Sequence, residues 1–187
     1  MAKKPKFTEQ PAEPVLLKLD LGTGKGRNRP EGFLGVDKDK YPHARIVDLR
    51  KRWPWPDNSV DEVNANYLLP FLAPRERVFF MNELHRVLKP GAKATIITPY
   101  WAACKAFGDA TTYWPPISEA WYARLNKAWR DAQDYDDPDG YLCDFDHTLG
   151  YNLHQSLVGR IMEYQQHAVV HFKEAAQDLI ANLTKRS

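Results

Sequence analysis

Three glycines at alternate positions, Gly22, Gly24 and Gly26, close the apolar run Leu16-Leu17-Lys18-Leu19-Asp20-Leu21, and a carboxylate follows in Gly35-Val36-Asp37. Glycines so spaced let the backbone turn sharply and let a ligand approach with no Cβ in the way. An acid at the tip of the next strand is where ribose hydroxyls are gripped. These residues are equipped to bind an adenosine-containing molecule.

The link between turn and acid narrows the ligand. From Gly26 to Gly32 the chain reads G-R-N-R-P-E-G, and the next strand begins by Phe33. A dinucleotide site needs a full helix here, because the pyrophosphate sits on its positive N-terminus. A parallel crossover takes about a dozen residues or more, and this one has roughly half of that. Pro30 and Gly32 also oppose a helix. The expected ligand has adenosine and ribose but no pyrophosphate, which fits S-adenosylmethionine and fits NAD or FAD poorly.

The elements that must position these groups follow from pattern. Strands are expected over residues 15–21, 32–37, 44–49, 60–64 and 94–98, the last β-branched and apolar as a central parallel strand should be. Val78, Met81, Leu84, Val87 and Leu88 mark the buried face of a helix over 74–88, which Lys89-Pro90-Gly91 stops. Prolines in R-K-R-W-P-W-P-D-N-S (50–59) make that stretch a loop. A helix is expected over 118–129 and a strand or hairpin after Gly140. A long amphipathic helix is expected over 156–183, from Ile161, Tyr164, Ala168, Phe172, Ala175, Leu179 and Leu183.

In this order the motifs resemble those of class I S-adenosylmethionine-dependent methyltransferases. L-D-L-G-T-G-K-G resembles the first motif, G-V-D the ribose acid, and I-V-D-L (46–49) the third strand with its adenine-side acid. S-V-D-E-V-N-A-N-Y-L-L-P-F-L (59–72) matches the fourth strand and its loop, and N-E-L-H-R-V-L-K-P-G-A-K-A-T-I-I-T-P (82–99) the helix, stop and fifth strand. The resemblance covers about half the chain. It implies an α/β fold: a Rossmann-like, mostly parallel sheet with helices on both faces, a truncated first crossover helix and an added C-terminal helix. It also implies that Asp20, Gly22, Thr23 and Gly24 meet the methionine end, that Asp37 and Lys38 meet the ribose, that Asp48 and Leu49 lie beside adenine, and that Asn66 and Tyr67 face the sulfonium. An Asx-turn is the competing role for Asp48. The chain departs from the family at Pro70-Phe71, where many relatives carry an acidic–histidine pair, and at Ala92, where a second glycine is usual.

Beyond Tyr100 the pattern becomes particular. Trp101, Phe107, Tyr113, Trp114, Trp121, Tyr122 and Trp129 crowd the segment that follows strand five, beside the ligand crevice. Trp101 and Trp114 are the expected substrate-pocket rings, able to stack a flat acceptor or face a cation; packing of a helix is the competing role for Trp121 and Trp129. Methyl transfer is governed by positioning, with a base needed only for an acceptor that loses a proton. Tyr100 and Asp109 are the candidate catalytic groups. His85 is expected on a solvated helix surface. Asp144, Asp146 and His147 read as surface hydrogen bonding, and no metal is expected.

Three segments are expected: a flexible tail over 1–14, a cofactor-binding domain over 15–155 with an aromatic-rich acceptor-side insertion at about 100–140, and the helix within 156–187, docked or at a homodimer seam. Net charge is +2, which implies no general polyanion affinity. No apolar run spans a bilayer, the N-terminus lacks a signal-peptide core, and Cys104 and Cys143 read as reduced thiols, so a cytoplasmic setting is expected. The expected partner is a small-molecule acceptor. Two other readings stand beside it. Asn64-Ala-Asn-Tyr67 faintly resembles the motif of nucleic-acid amino methyltransferases without its prolines, and Arg50-Lys51-Arg52 with Trp53 and Trp55 could touch phosphates and stack bases. A non-catalytic cofactor-binding partner or regulator is the third.

Overall fold

In the computed structural model, residues 16–26, 29–133 and 140–187 are described; the tail expected over 1–14 lies outside them. Seven strands, β1 (Lys18–Leu21), β2 (Leu34–Asp37), β3 (Ala44–Ile46), β4 (Val60–Asn66), β5 (Leu88–Pro99), β6 (Phe145–Leu153) and β7 (Ala176–Lys185), form one sheet in the order β3-β2-β1-β4-β5-β7-β6. Every neighbouring pair is parallel except the two made by β7. The architecture is α/β with a Rossmann-like, mostly parallel sheet. Helices are α1 (Pro74–Val87), α2 (Glu119–Ala123), α3 (Lys127–Ala132) and α4 (Met162–His171). None among the described residues is long and apolar enough to cross a membrane.

Local chemistry accounts for the main helix. Proline occupies the first turn of α1, where a missing N–H costs nothing, and Glu76 reaches back to accept the Ala73 N–H at 2.8 Å. Val78, Phe80, Met81, Leu84 and Val87 are buried against the sheet. The apolar face of β5 alternates strictly, with Ala94, Ile96 and Thr98 buried and their neighbours less so.

The C-terminal helix expected over 156–183 is corrected. Its first part forms α4, but residues 176–185 are a strand inserted between β5 and β6, paired antiparallel to both. Leu179 and Leu183 satisfy a helical spacing, yet with Ala181 between them they equally satisfy a period of two. Pairing on both edges decides for the strand, and a dimer seam along a helix there loses its basis. The helix expected over 118–129 is broken: Asn126 ends one turn and caps the next, accepting the Trp129 N–H at 2.9 Å.

Of the helices expected on both faces, the contacts of α1 and α2 run to one. His85 of α1 meets Phe145 edge-on at 5.2 Å, and Tyr122 of α2 meets His147 at 6.5 Å. The opposite face carries the Lys18–Glu62 ion pair at 2.7 Å and a Thr95–Asn182 hydrogen bond at 3.1 Å, and Lys93, Thr148 and Asn182 on it are exposed. The described residues joining β1 to β2, and the chain from β2 to β3, contain no helix to cover it. The sheet answers with polar side chains.

Candidate functional site

The glycine turn works through backbone conformation. Gly22, Gly24 and Gly26 have φ of +71°, +52° and +70°, values that L side chains adopt only with strain. The N–H groups of Gly22 and Thr23 both donate to Val36 O, at 2.8 and 3.1 Å, tying the turn to β2. A Cβ on Gly22 would stand 2.9 Å from Leu68 Cδ1. Gly24 needs its φ rather than space, and its N–H donates to Asp37 Oδ2 at 2.8 Å. The other carboxylate oxygen accepts the Asp39 N–H at 3.0 Å, so Asp37 is locked at the strand tip.

Two adjoining clefts open over this turn at the carboxyl ends of the strands. One, of about 470 Å³, is lined by Gly22, Asp37, Lys38, Asp48 and Leu49. The other, of about 260 Å³, is lined by Asp20 and Thr23 with Lys25 and Arg29, and Gly22, Asn66 and Tyr67 line both. Every cofactor residue expected from sequence therefore lines one cleft or the other, except Gly24, which holds Asp37 instead. Asp48 fills both of its expected roles: it accepts the Arg50 N–H at 3.1 Å as an Asx-turn and still lines the larger cleft. The Arg50 guanidinium bonded to it holds its carboxyl below the ordinary carboxylate range.

Sequence reasoning missed Leu68, Phe71 and Leu72, which give the larger cleft an apolar lining. The Pro70-Phe71 departure was the available signal. It also missed Lys25 and Arg29, and the cluster behind Tyr67. The Tyr67 hydroxyl donates to Asp178 Oδ1 at 2.9 Å, Asn152 Nδ2 donates to the other oxygen at 3.1 Å, and Lys105 pairs with the same carboxylate. Lys105 also lies over the Tyr67 ring at 5.4 Å. Burial and then the Asp178 contact push the Tyr67 hydroxyl above its usual range. For Lys105, burial pulls downward but the bond to Asp178 prevails, so its ammonium is held above the usual range. Tyr67 itself has φ of +57°, a conformation that costs a residue other than glycine about 1–3 kcal/mol.

The acceptor-side candidates lie apart from the two clefts. Tyr100 is buried against Trp101 and Tyr151, its hydroxyl pushed up to about 12 by burial and then by the Glu119 carboxylate. Asp109 is exposed and caps its own turn through Thr111, whose hydrogen bonds hold its carboxyl down. Trp101 and Trp114 line a separate open cleft. Arg77 latches this segment to the cofactor side: it is buried, and its guanidinium donates to Pro115 O at 2.6 Å, Tyr113 O at 2.7 Å, and Leu69 O and Leu72 O.

Other expectations change in detail. His85 is not a solvated surface residue: its Nε2 is buried, and burial followed by the nearby Lys185 charge pulls its pKa down. Asp144 and Asp146 pair with Arg186, while His147 faces Tyr122. Among the described residues no group of three metal-type side chains converges. Trp53 and Trp55 are 2% and 5% exposed, so neither ring is available to stack a base.

Residues 19–96 match the model of a family described as methyltransferase domain. A solved S-adenosylmethionine-dependent methyltransferase from Archaeoglobus fulgidus superposes with a TM-score of 0.63 at 15% identity, covering 91% of this chain and 86% of that one. The fold is that of the class I methyltransferases. A chain from the complex between the Haloferax volcanii Trm112 methyltransferase activator and a candidate methyltransferase gives 0.57 at 17% identity, covering 96% and 86%. An S-adenosylmethionine-dependent methyltransferase from Mesorhizobium loti gives 0.52 at 15%, covering 91% of each chain. No curated protein sequence matches the chain. At such identities the likeness speaks for the fold, and the fit of a cofactor rests on this methyltransferase fold's own residues. They fit: Thr23 Oγ1 and Asn66 Oδ1 are buried with no hydrogen-bond partner, and both residues line the clefts. An unsatisfied buried polar atom costs about 1–3 kcal/mol unless a ligand meets it.

Proposed function

We propose that the chain is an S-adenosylmethionine-dependent methyltransferase acting on a small aromatic or polar acceptor, in the cytoplasm. The observation that carries this reading is that Thr23 and Asn66, whose Oγ1 and Oδ1 are buried with no hydrogen-bond partner, line adjoining clefts, the larger of which also takes in the locked carboxylate of Asp37. S-adenosylmethionine would bring a methyl group already bonded to a cationic sulfur, a leaving group that needs no activation by the protein. The chain's part is to bind and align. Asp37 has lone pairs left to accept ribose hydroxyls, Leu49 and the apolar wall of Leu68, Phe71 and Leu72 suit a flat base, and Asp20, Thr23 and Asn66 supply polar groups for an amino-acid end. Lys25 and Arg29 add positive charge where a carboxylate would lie.

This reading relies on positioning rather than on a general base. Tyr100, buried and held protonated at neutral pH, is a poor proton acceptor, and Asp109 faces solvent. Incubation with methyl-labelled S-adenosylmethionine and a small-molecule extract tests the proposal. Label in a new low-mass product that disappears with Gly22→Val supports it. Tight binding of the label with no transfer to any fraction favours a regulator instead.

A further inference from the structure

The open cleft after β5 has a chemistry of its own. It is about 530 Å³ and is lined by Trp101, Phe107, Trp114 and Glu119. The three rings are 47%, 55% and 74% exposed, and Phe107 and Trp114 lie at 6.0 Å with their planes tilted by 38°. Large rings left this open in one concavity are not explained by packing.

Glu119 supplies the second observation. Its Oε2 accepts Trp101 Nε1–H at 3.2 Å and its Oε1 accepts the Tyr151 hydroxyl at 2.9 Å. These donors are neutral. Among the described residues no lysine, arginine or histidine forms an ion pair with Glu119. The carboxylate is thus fixed in place by aromatic donors, half-buried, and uncompensated in charge. Ring faces carry negative potential, and a fixed carboxylate beside them adds to it. We propose that the Trp101–Phe107–Trp114 cleft with Glu119 is a binding site for an alkylammonium group. The site deepens the methyltransferase reading, since an amine-bearing acceptor would be anchored there. Arg77 ties Tyr113 and Pro115, which flank Trp114, to the wall of the cofactor cleft, so the two sites are mechanically joined.

The test uses the indole N–H resonance of Trp101, which reports directly on the Glu119 contact and is assigned with Trp101→Phe. Choline is titrated against the full chain beside its uncharged isostere 3,3-dimethylbutan-1-ol, with a short lysine peptide as a third arm. Choline is expected to shift the resonance saturably, and the isostere to bind roughly tenfold more weakly. Trp114→Ala, at an exposed position, and the conservative Glu119→Gln should each weaken choline roughly fivefold to thirtyfold. A tighter response to the peptide than to choline identifies a lysine side chain as the source of the ammonium. Equal response to choline and isostere, or none to any cation, overturns the proposal. The same sample is titrated with S-adenosylhomocysteine. Binding of that ligand without a choline response removes the cation site alone, and the converse removes the methyltransferase reading alone.

Discussion

The cofactor side and the acceptor side of this molecule are built from different materials. The cofactor side is made of backbone: positive-φ glycines, N–H groups aimed at Asp37, and strand tips brought level by parallel pairing. The proposed acceptor side is made of long side chains from distant segments, with Trp101, Glu119 and Tyr151 in one cluster, and a second cluster of Tyr67, Lys105 and Asp178 reaches the cofactor clefts through Tyr67. The first kind of site follows from the fold and tolerates little change. The second depends on side chains that can be exchanged singly, which is how one fold serves many acceptors.

That contrast can be broken in order of expected effect. Gly22→Val should be the most damaging to the cofactor side, since the new side chain meets Leu68 and the backbone is held at φ +71°. Relief of that strain must move the turn out of its present conformation, so a loss of S-adenosylhomocysteine affinity of roughly a hundredfold or more is expected by calorimetry. Arg77→Met should destabilise the chain by about 3 kcal/mol, because buried carbonyls lose a charged donor. Hydrogen exchange should then speed up first in residues 101–118, with cofactor affinity falling by less than about tenfold. If exchange instead rises evenly, the acceptor segment is not the separately anchored unit described above.

Asp178→Asn sharpens the comparison from the other side. It releases Lys105 and weakens the hold on Tyr67 while leaving Asp37 untouched. Because Tyr67 also lines the cofactor clefts, cofactor affinity is expected to fall by less than about tenfold, with the larger loss in acceptor KM or kcat. The smallest effect is on pH. Burial, the leading cause in each case, lowers the pKa of His85 and His147, so the folded chain stays neutral where the unfolded chain takes up protons. The unfolded state binds more protons, so stability rises with pH. Their contribution is complete above the ordinary histidine value of about 6.5 and is lost as pH falls below it. Melting midpoints on either side of that pH should show the slope, and His85→Gln should reduce it.

The same contrast governs what could be read from the chain. The places of Gly22, Asp37 and Asn66 in the cleft were legible because turn type and strand ends, which spacing reports, set them. The short link after Gly26 announced a truncated first crossover helix, and the described residues joining β1 to β2 contain none, but the uncovered sheet face that follows was not foreseen. Asp178 was not legible: Leu179 and Leu183 fit both periods, and only the slot between β5 and β6 selects the strand that carries this acid to Tyr67. Glu119 was equally silent, since its partners Trp101 and Tyr151 come from separate segments. His85 looked solvated because nothing local announced that Phe145 would cover it.

The glycine turn and Asp37 are expected to bind cofactor independently of the acceptor side. Calorimetric titration of S-adenosylhomocysteine into the wild-type chain and into Asp37→Asn tests it most directly. One-site binding that weakens about tenfold to a hundredfold in the variant, as expected for losing hydrogen bonds to a charged group, is the predicted result. Absence of binding to the wild-type chain, or equal binding to both, would contradict it.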